Sequence, residues 1–352
     1  MPILAILTSG GDAPGMNSVI VAAAKTAFAN GWRVIGIEDG YNGLIEGRFI
    51  ELNPSIIDDE SRKGGTFLRS ARSKAFRTVE GRTTAARNLL GVDALLVIGG
   101  NGSLTGAKIF GKEHGIRVIG VPASIDNDIA CTSMSVGVDT ALNTIVEACD
   151  RISDTARSHR RAFIVEVMGR ECGYLAMASA ISCSADAVIF REQGKSEDQL
   201  ISELRNVIRH AYSAMRNKKR VLIIKAEGVE VPTASLAARL ETTLQEDSGG
   251  ATLRYTILGH VVRGGSPSSL DRLMGARFGY AAFHAALRGK DQVMLGWRPE
   301  DTTKGTVSID KNIYLFDLEH VLTETVRLLD GSHPSTQARI AMMRQIQGIL
   351  PL

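Results

Sequence analysis

Short apolar runs recur along the chain and alternate with longer stretches in which apolar residues return at helical spacing. The apolar runs cover 3–7, 33–37, 94–98, 117–121, 162–167, 186–190, 220–225 and 252–258. Helical spacing marks, among others, 16–29, 138–158, 195–217 and 267–288. Strands that are apolar throughout, alternating with amphipathic segments, are typical of a parallel sheet covered on both faces. The pattern therefore predicts an α/β fold.

Two local features refine this prediction. Ser196, followed by Glu197 and Asp198, has the side chains that favour a helix N-terminus, so it is expected to begin the helix over 195–217. The section from about 40 to 90 is less regular and contains several glycines. It predicts a mixture of strand, turn and short helix.

Length, composition and charge limit the class of protein. A chain of 352 residues is long for a single core and predicts about two domains. The hydrophobic fraction of 44% and the charged fraction of 22% are those of an ordinary soluble globular protein. The net charge of +3 predicts no broad nucleic-acid surface, so anion binding must come from local clusters.

The sequence also favours one cellular compartment. No apolar stretch approaches the roughly 18 residues that a membrane-spanning helix needs, and Ile3–Leu7 is too short for a secretory signal. The cysteines show no metal-ligand spacing and suit a reducing compartment; they are Cys131, Cys149, Cys172 and Cys183. We expect a cytoplasmic protein that does not bind a membrane.

Two carboxylates follow the apolar run 117–121. Asp126 and Asp128 are separated by one residue within Pro122–Asp128. In an extended segment, side chains two apart lie on the same side of the chain, which suits a base and a metal ligand at one reacting centre. An ordinary Asx-turn is the alternative interpretation of the same residues.

Two glycine-rich turns follow other apolar runs. Ser9–Gly15 follows the first run, and Gly99–Ser103 follows 94–98. A strand, a glycine turn and a helix N-terminus together form a phosphate cradle. Met16 and Asn17 stand where a Walker A loop has Lys and Ser or Thr, so that motif is excluded. A plain helix-capping turn is the alternative for the first of them.

Basic residues accompany these motifs. Arg69 and Arg72 follow a third glycine turn that begins at Gly64, and either arginine could neutralise a transferring phosphoryl group or be a solvated surface charge. Near strand ends in the second half of the chain lie Arg161, Arg170, Arg254, His260 and Arg263. If they converged, they would suit a phosphate-bearing substrate.

Six motifs, in order, resemble those of the 6-phosphofructokinase family. They are Gly10–Asn17, Gly64–Thr66, Ser70–Arg72, Ser124–Asp128, Glu166–Arg170 and Leu258–Pro267. The resemblance runs from residue 3 to about 290. It implies two three-layer α/β lobes with mostly parallel sheets: a nucleotide lobe of 1–137 plus about 251–300, a sugar-phosphate lobe of 138–250, and a C-terminal extension of 301–352.

The same resemblance implies an activity and a nucleotide site. The reaction is the glycolytic transfer of the ATP γ-phosphate to the 1-hydroxyl of fructose 6-phosphate, with Mg²⁺. Asn101 and Asp128 take the positions nearest the metal, although most active members have an aspartate where Asn101 stands. The residues implied for the nucleotide are Gly11, Arg72, Ser73, Gly100, Asn101, Gly102 and Ser103.

The resemblance also implies the catalytic and sugar-binding residues. Asp126 is the base that accepts the hydroxyl proton, and Asp128, Arg72, Ser124 and Arg170 complete the catalytic group. The substrate residues are Ser124, Asp126, Arg161, Met168, Gly169, Arg170, Glu227, Arg254, His260 and Arg263. Because Arg161 and Arg254 take positions that reach a neighbouring subunit's site, we expect a homo-oligomer, a tetramer or a dimer, with shared sites.

Other activities on the same scaffold remain open at this point. Gly102 and Ala123 are small where pyrophosphate-dependent relatives have Asp and Lys, which favours ATP as the donor. The alternatives are a pyrophosphate-dependent enzyme, a kinase of another sugar phosphate such as sedoheptulose 7-phosphate, or a weakly catalytic regulatory paralogue, which Asn101 would suit. Val21 and Pro54 replace effector-site arginines, so the familiar ADP and phosphoenolpyruvate control is not expected.

Overall fold

Strands and helices alternate along the residues that the computed structural model describes, which are 1–245, 252–298 and 306–347. The strands found there are β1 (Ile3–Ser9), β2 (Arg33–Ile37), β3 (Phe49–Leu52), β4 (Ala94–Gly99), β5 (Val118–Pro122), β6 (Ala162–Val167), β7 (Ala187–Ile189), β8 (Val221–Ala226), β9 (Leu253–Ile257), β10 (Val293–Trp297), β11 (Thr306–Val307) and β12 (Ile313–Asp317). All the predicted strands therefore form, within two residues at either end.

The α-helices of the described residues fall between these strands and after them. They are α1 (Met16–Ala29), α2 (Gly40–Glu46), α3 (Val79–Asn88), α4 (Asn101–His114), α5 (Val138–His159), α6 (Tyr174–Ser182), α7 (Glu197–Tyr212), α8 (Thr233–Gln245), α9 (Ser269–Leu287), α10 (Leu318–Leu329) and α11 (Pro334–Gln347). Short 3₁₀ turns occur at Glu60–Arg62, Ala75–Arg77, Arg191–Gln193 and Gly259–Arg263. No helix of the described residues is long and apolar enough to cross a membrane.

The chain divides into two compact units. The first unit comprises Met1–Thr140 and Arg263–Leu328, and the second comprises Ala141–Val262 and the chain from Leu329 onward. The predicted lobe boundaries near 250 and 300 lie outside the described residues, so those limits stay predictions. The predicted extension, 301–352, is described only at 306–347 and contains β11, β12, α10 and α11.

The sheet of the first unit has, within the described residues, the strand order β11-β12-β10-β5-β4-β1-β2-β3. The pairs from β2 through β1, β4 and β5 to β10 are all parallel, whereas β3 and β12 join antiparallel at the two sides. Ser9 pairs with Gly99, and Gly99 pairs with Pro122. The carboxyl ends of β1, β4 and β5 therefore meet at one edge.

The second unit contains a parallel sheet of described strands in the order β7-β8-β6-β9. The apolar face of α7, with Leu200, Leu204 and Ile208, packs into the core that these strands form. Ser196 caps α7, since its hydroxyl accepts from the Gln199 amide and the Gln199 side chain returns to the Ser196 amide. That predicted helix start is confirmed. The helix ends at Tyr212, before the predicted 217, because residues 213–217 turn back through bonds to the Ser213 carbonyl. Together, the two sheets confirm the predicted α/β class.

Asp271 joins α9 to the start of α5. Its carboxylate is fully buried and accepts hydrogen bonds from the Gly137 and Thr140 amides, both at 2.8 Å, and from the Thr140 hydroxyl. Burial raises the pKa of Asp271, although these three donors act in the opposite direction. The segment that leads from the Asp126 loop into α5 is thereby fixed to the core.

Replacing Asp271 by Asn is expected to lower the free energy of unfolding by about 1–3 kcal/mol. The amide offers one oxygen in place of two, so one buried backbone amide loses its acceptor. Urea titration would measure the change, with the exposed Asp58→Asn as the matched control. An Asp271→Asn protein as stable as the control would show that the carboxylate is not needed for this junction.

Candidate active site

Three loops meet where β1, β4 and β5 end. The loop after β1 contains Gly10 and Gly11, the turn after β4 leads directly into α4, and the loop after β5 contains Asp126. The Ala123 amide donates to the Gly99 carbonyl at 3.0 Å, so the last two loops are tied together. Ligands of open α/β sheets bind beyond the carboxyl ends of the strands.

The first glycine turn both caps a helix and lines a cavity. Gly15 precedes α1 in the left-handed conformation, so the capping interpretation is correct for that end of the turn. At the other end, the Arg263 guanidinium lies so close that a Cβ at Gly11 would be 2.7 Å from its Nη1. Arg263 donates to the Asp12 carbonyl at 3.2 Å, which fixes a positive charge beside the turn. A side chain at Gly11 would therefore require the Arg263 guanidinium to move.

Asn17 explains why this turn has no Walker A lysine and serine. The residue is buried, and its amide nitrogen donates to the Lys63 carbonyl at 3.2 Å. Its side-chain oxygen accepts from the Phe67 amide at 3.0 Å. Asn17 therefore holds the glycine turn that begins at Gly64 against the first helix.

A cavity of about 780 Å³ opens in the first unit at this edge of its sheet. Of the residues implied by the family resemblance, those that line it are Gly11, Arg72, Ser73, Gly100, Gly102, Ser103, Ser124, Asp126 and Arg263. Its volume is within the range of small-molecule sites. The first turn of α4 lies at the wall, and the amides of a helix N-terminus favour phosphate.

The far end of this cavity is aromatic. Tyr41 and Phe76 stack with their ring centroids 3.9 Å apart, and both line the wall together with Ile109. The Tyr41 hydroxyl donates to the Ser103 carbonyl at 2.7 Å, and burial raises the pKa of Tyr41. The Ser73 hydroxyl accepts from the Phe76 amide at 3.1 Å.

Several residues of the cavity were not predicted from the sequence. Besides the aromatic pair, they include Lys74, Arg77 and Arg82. Arg82 is buried and donates to the Glu113 carboxylate at 2.8 Å, which raises the pKa of Arg82 through that hydrogen bond. Arg77 lies in a 3₁₀ turn and Arg82 in α3, and no sequence motif marked either residue.

The two arginines after the third glycine turn have different roles. Arg72 lines the cavity. Arg69 instead forms an exposed ion pair with Asp39 at 2.9 Å and has a left-handed backbone. The interpretation as a solvated surface charge is thus correct for Arg69, while Arg72 has access to a bound anion.

The Asp126 loop is not extended, so the argument from extended geometry was wrong here. Asn127 has a φ of 51°, a conformation that asparagine tolerates, and its buried side chain bonds the Ser133 carbonyl and the Ser135 amide. Asp126 lines the cavity, whereas Asp128 accepts from the Ser124 hydroxyl at 2.6 Å. A turn at Ile125 and Asp126, in which the Asn127 amide donates to the Ser124 carbonyl at 3.4 Å, therefore replaces the extended segment.

Two residues, Asn101 and Asp128, are expected from the resemblance to lie nearest a metal ion. Asn101 is the first residue of α4 and does not belong to the cavity lining, and neither does Asp128. In the described ranges, no group of three His, Cys, Asp or Glu side chains is close enough to hold a metal ion.

In the second unit, two loops at the carboxyl edge of the sheet pack together. The Glu227 amide donates to the Val167 carbonyl at 2.9 Å, and a Cβ at Gly228 would collide with the Arg170 carbonyl. The structure thus brings Met168, Gly169 and Arg170 beside Glu227, as the resemblance implies. His260 is exposed on the 3₁₀ turn that follows β9.

Arg161 and Arg254 lie at the other edge of that sheet. Arg161 precedes β6 and Arg254 is the second residue of the parallel strand β9. Six residues of strand separate this edge from Met168 by about 20 Å. Arg254 forms an exposed pair with Glu241 at 3.3 Å. The basic residues of the second unit therefore do not converge at one end of its sheet.

A buried ion pair links β6 and β8, the two strands that precede Met168 and Glu227. Lys225 is 1% exposed, and its Nζ is 3.0 Å from Oε2 of Glu166, which is its direct partner in the β6–β8 register. Thr233 donates its hydroxyl to the same carboxylate oxygen. β6 leads into Met168, and β8 leads into Glu227. The ion pair therefore fixes the strand ends from which both loops begin.

The fold and the cavity define an α/β protein with a cavity of ligand-binding size at the carboxyl edge of a parallel sheet. A phosphofructokinase family model matches residues 3–286. The ATP-dependent 6-phosphofructokinase of Thermotoga neapolitana is 41% identical over 333 residues, spanning 92% of this chain and 100% of that protein. The corresponding Clostridium botulinum protein is 41% identical, over 84% of this chain and 89% of that one. The chain belongs to the phosphofructokinase family.

Solved structures agree with this assignment. Phosphofructokinase from Saccharomyces cerevisiae superposes with a TM-score of 0.84 at 30% identity. That match covers 97% of this chain, which spans 50% of the length of the yeast chain. The pyrophosphate-dependent phosphofructokinase from Marinobacter aquaeolei has a TM-score of 0.76 at 19% identity, covering 91% of this chain and 84% of its own. Because the Marinobacter protein is only 19% identical, its similarity shows the fold alone.

Proposed function

We propose that this protein transfers the γ-phosphate of ATP to the 1-hydroxyl of fructose 6-phosphate, giving fructose 1,6-bisphosphate in glycolysis. The observation that carries the proposal is the cavity of about 780 Å³, which joins the N-terminus of α4 and the Gly11 turn to the carboxylate of Asp126. Phosphoryl transfer needs little more than a held donor, an oriented hydroxyl and a group to take its proton. Curated relatives at 41% identity are named for this activity.

The aromatic end of the cavity favours ATP over pyrophosphate. Tyr41, Phe76 and Ile109 line the cavity together with the glycine turns and offer apolar contact for a purine ring. Gly102 and Ala123 line the cavity between those turns and the carboxylate and keep it open. Pyrophosphate has no ring that could make apolar contact with these aromatic side chains.

We assign roles within the cavity by what each side chain offers. Asp126 is the general base that receives the proton of the sugar 1-hydroxyl as its oxygen bonds to the γ-phosphorus and the bond to the leaving ADP breaks. Arg72 is a cation on the cavity wall and would neutralise charge on the transferring group. Ser124 donates to Asp128, which orients that carboxylate.

The family uses Mg²⁺, and the residues present fit it. Mg²⁺ keeps several waters and takes one or two carboxylates together with the phosphates of its substrate. Asp128 supplies a carboxylate, and Asn101 at the start of α4 supplies an amide oxygen. When bound, the metal would neutralise charge on the ATP phosphates.

In the second unit, the sugar phosphate is assigned to the loops at the carboxyl edge of the sheet. Met168, Gly169, Arg170 and Glu227 come together there, with His260 on the turn after β9. We assign Arg161 and Arg254, at the opposite edge, to the site of a second copy of the chain. That assignment makes the active enzyme a homo-oligomer, a tetramer or a dimer.

A coupled assay that pairs each donor with each acceptor tests the proposed function. ATP with fructose 6-phosphate should give the highest kcat/KM. Higher kcat/KM with pyrophosphate, or with sedoheptulose 7-phosphate, would replace the proposal by the corresponding alternative. Binding of these ligands without turnover in any pairing would favour a regulatory paralogue.

Asn101→Asp should change the Mg²⁺ dependence of the reaction more than the KM for fructose 6-phosphate. A carboxylate adds a full charge and acceptor-only oxygens, while the amide offers a neutral carbonyl. Titrating Mg²⁺ at fixed ATP for both proteins measures this. A natural protein without phosphotransfer that gains it on this change would instead mark Asn101 as a silencing substitution.

Shared sites predict complementation between inactive variants. An Arg161→Ala protein mixed with one disabled at Asp126 should recover part of the activity, because hybrid sites combine intact residues from both. Subunit exchange is verified separately by mass. Full exchange without recovered activity would show that each site is complete within one chain.

We also propose a cytoplasmic location. All four cysteines are buried thiols, as in proteins of reducing compartments.

A further inference from the structure

A second cavity, of about 310 Å³, lies in the first unit at the C-terminal end of α9. Its cationic lining is His284, Arg288 and Lys290, and the wall opposite is formed by Ser308, Ile309 and Leu315. None of these residues lines the larger cavity. The site is therefore separate from the proposed active site in its lining residues.

No carboxylate of the described residues neutralises the three basic groups of this cavity. Within the ranges that the structure describes, none of them forms an ion pair with a carboxylate. Asp310, two residues beyond Ser308, binds the Arg277 guanidinium through both oxygens, and this holds the pKa of Asp310 below its usual range. Its charge is thus committed to Arg277, which also lies over the Trp297 ring.

Basic residues near a helix C-terminus often serve the last carbonyl groups, but here the backbone does so. The Arg288 amide donates to the His284 carbonyl at 3.1 Å, the Gly289 amide to Ala286 at 2.9 Å and the Lys290 amide to Ala285 at 3.0 Å. The last two bonds form a Schellman motif, with Gly289 left-handed. The cationic side chains are therefore not required to cap these carbonyls.

The surroundings of His284 place like charges together. The ring packs edge-on against Tyr280, with centroids 4.4 Å apart, and against Phe283 at 5.6 Å. Burial and the nearby Arg288 charge both lower the pKa of His284. Arg288, Lys290 and the Ser308 hydroxyl line the cavity together with the imidazole, and such cationic and hydroxyl groups are suitable ligands for a doubly charged oxyanion.

We propose that this cavity binds a small phosphomonoester, outside the active site. Its volume is at the low end of ligand-binding cavities, large enough for a phosphate group with a short carbon chain. His284, Arg288 and Lys290 take the phosphate oxygens, and the side chains of Ile309 and Leu315 take the carbon chain. The inference does not depend on which reaction the active site performs.

The His284 ring is a local reporter of occupancy. An anion bound beside it favours the imidazolium, so inorganic phosphate should raise its pKa in a saturable way. NMR titration of the full chain follows the ring signals of the 7 histidines. The His284 signal is identified by its loss in the His284→Asn variant. Glycerol 3-phosphate should saturate the shift at a roughly tenfold lower concentration, equivalent to about 1.4 kcal/mol of added contact.

Matched variants and salts decide the outcome. The double variant Arg288→Gln, Lys290→Gln should abolish the saturable response, while Arg87→Gln with Lys219→Gln, exposed cations elsewhere, should retain it. The proposed site would be overturned if NaCl at equal ionic strength raised the pKa of His284 to the same extent. It would also be overturned if the phosphate-induced rise persisted in the Arg288→Gln, Lys290→Gln variant. Equal or weaker binding of glycerol 3-phosphate than of phosphate would overturn its assignment to phosphomonoesters.

Discussion

Replacing Asp126 by Ser is expected to reduce turnover by about 10²–10⁴-fold, the usual contribution of a general base. The carboxylate lines the cavity beside Ser124, on a loop that Asn127 fixes through two hydrogen bonds. Binding of fructose 6-phosphate should weaken much less, because the sugar-binding groups are assigned to other loops. Steady-state kinetics measure kcat, and calorimetry measures the affinity.

The exposed Asp58→Ser removes the same charge elsewhere and should leave both quantities unchanged. An Asp126→Ser protein that keeps near-normal turnover would remove Asp126 from the mechanism. Equal losses of turnover and affinity would identify a binding residue and not a base.

Lys225→Met is expected to lower the free energy of unfolding by about 3–5 kcal/mol, because it leaves the Glu166 carboxylate without its cation. Lys225 is 1% exposed and Glu166 16%, so water cannot fully replace the lost partner. Methionine retains most of the side-chain volume, which separates the loss of charge from a packing defect. Urea unfolding of the variant gives the difference.

The double variant Lys225→Met, Glu166→Gln should recover most of this loss, since Thr233 can still donate to the new amide. The exposed Lys219→Met is the matched control and should stay within about 0.5 kcal/mol. If the double variant is no more stable than Lys225→Met, the cost arises from packing instead. If the pair also fixes the sugar-binding loops, the single variant raises the KM for fructose 6-phosphate more than that for ATP.

Elements with a strong local signal were predictable from the sequence. The helix over 16–29 and the strand over 162–167 form at the predicted bounds, and Ser196 caps its helix. The helix α4 gave no such signal, because Gly102, Gly106 and Gly111 lower its propensity. It forms in the folded protein since Gly106 allows the Tyr41 and Phe76 rings to approach closely.

The residues of the candidate site likewise divide into those that a sequence motif predicted and those that no motif marked. Residues within motifs, such as Gly11, Arg72 and Asp126, line the cavity as the resemblance implies. Phe76 and Arg82 have no motif of their own, and they reach the cavity only because α3 and the turn before it fold over α4. Lys225 occupies an apolar strand pattern, so nothing in the sequence indicated that its charge is paired inside the core.

The discontinuous first unit also has a consequence for biosynthesis. The four described strands of the second unit's sheet are all translated by Ile257, whereas β5 receives its neighbour β10 only after Val293. Until then the nascent chain holds Val118–Pro122, a wholly buried strand in the finished protein, with one side of its backbone unpaired. An open apolar edge is a template for pairing with other chains. The interval between residues 122 and 293 is therefore when this protein is most exposed to aggregation on the ribosome.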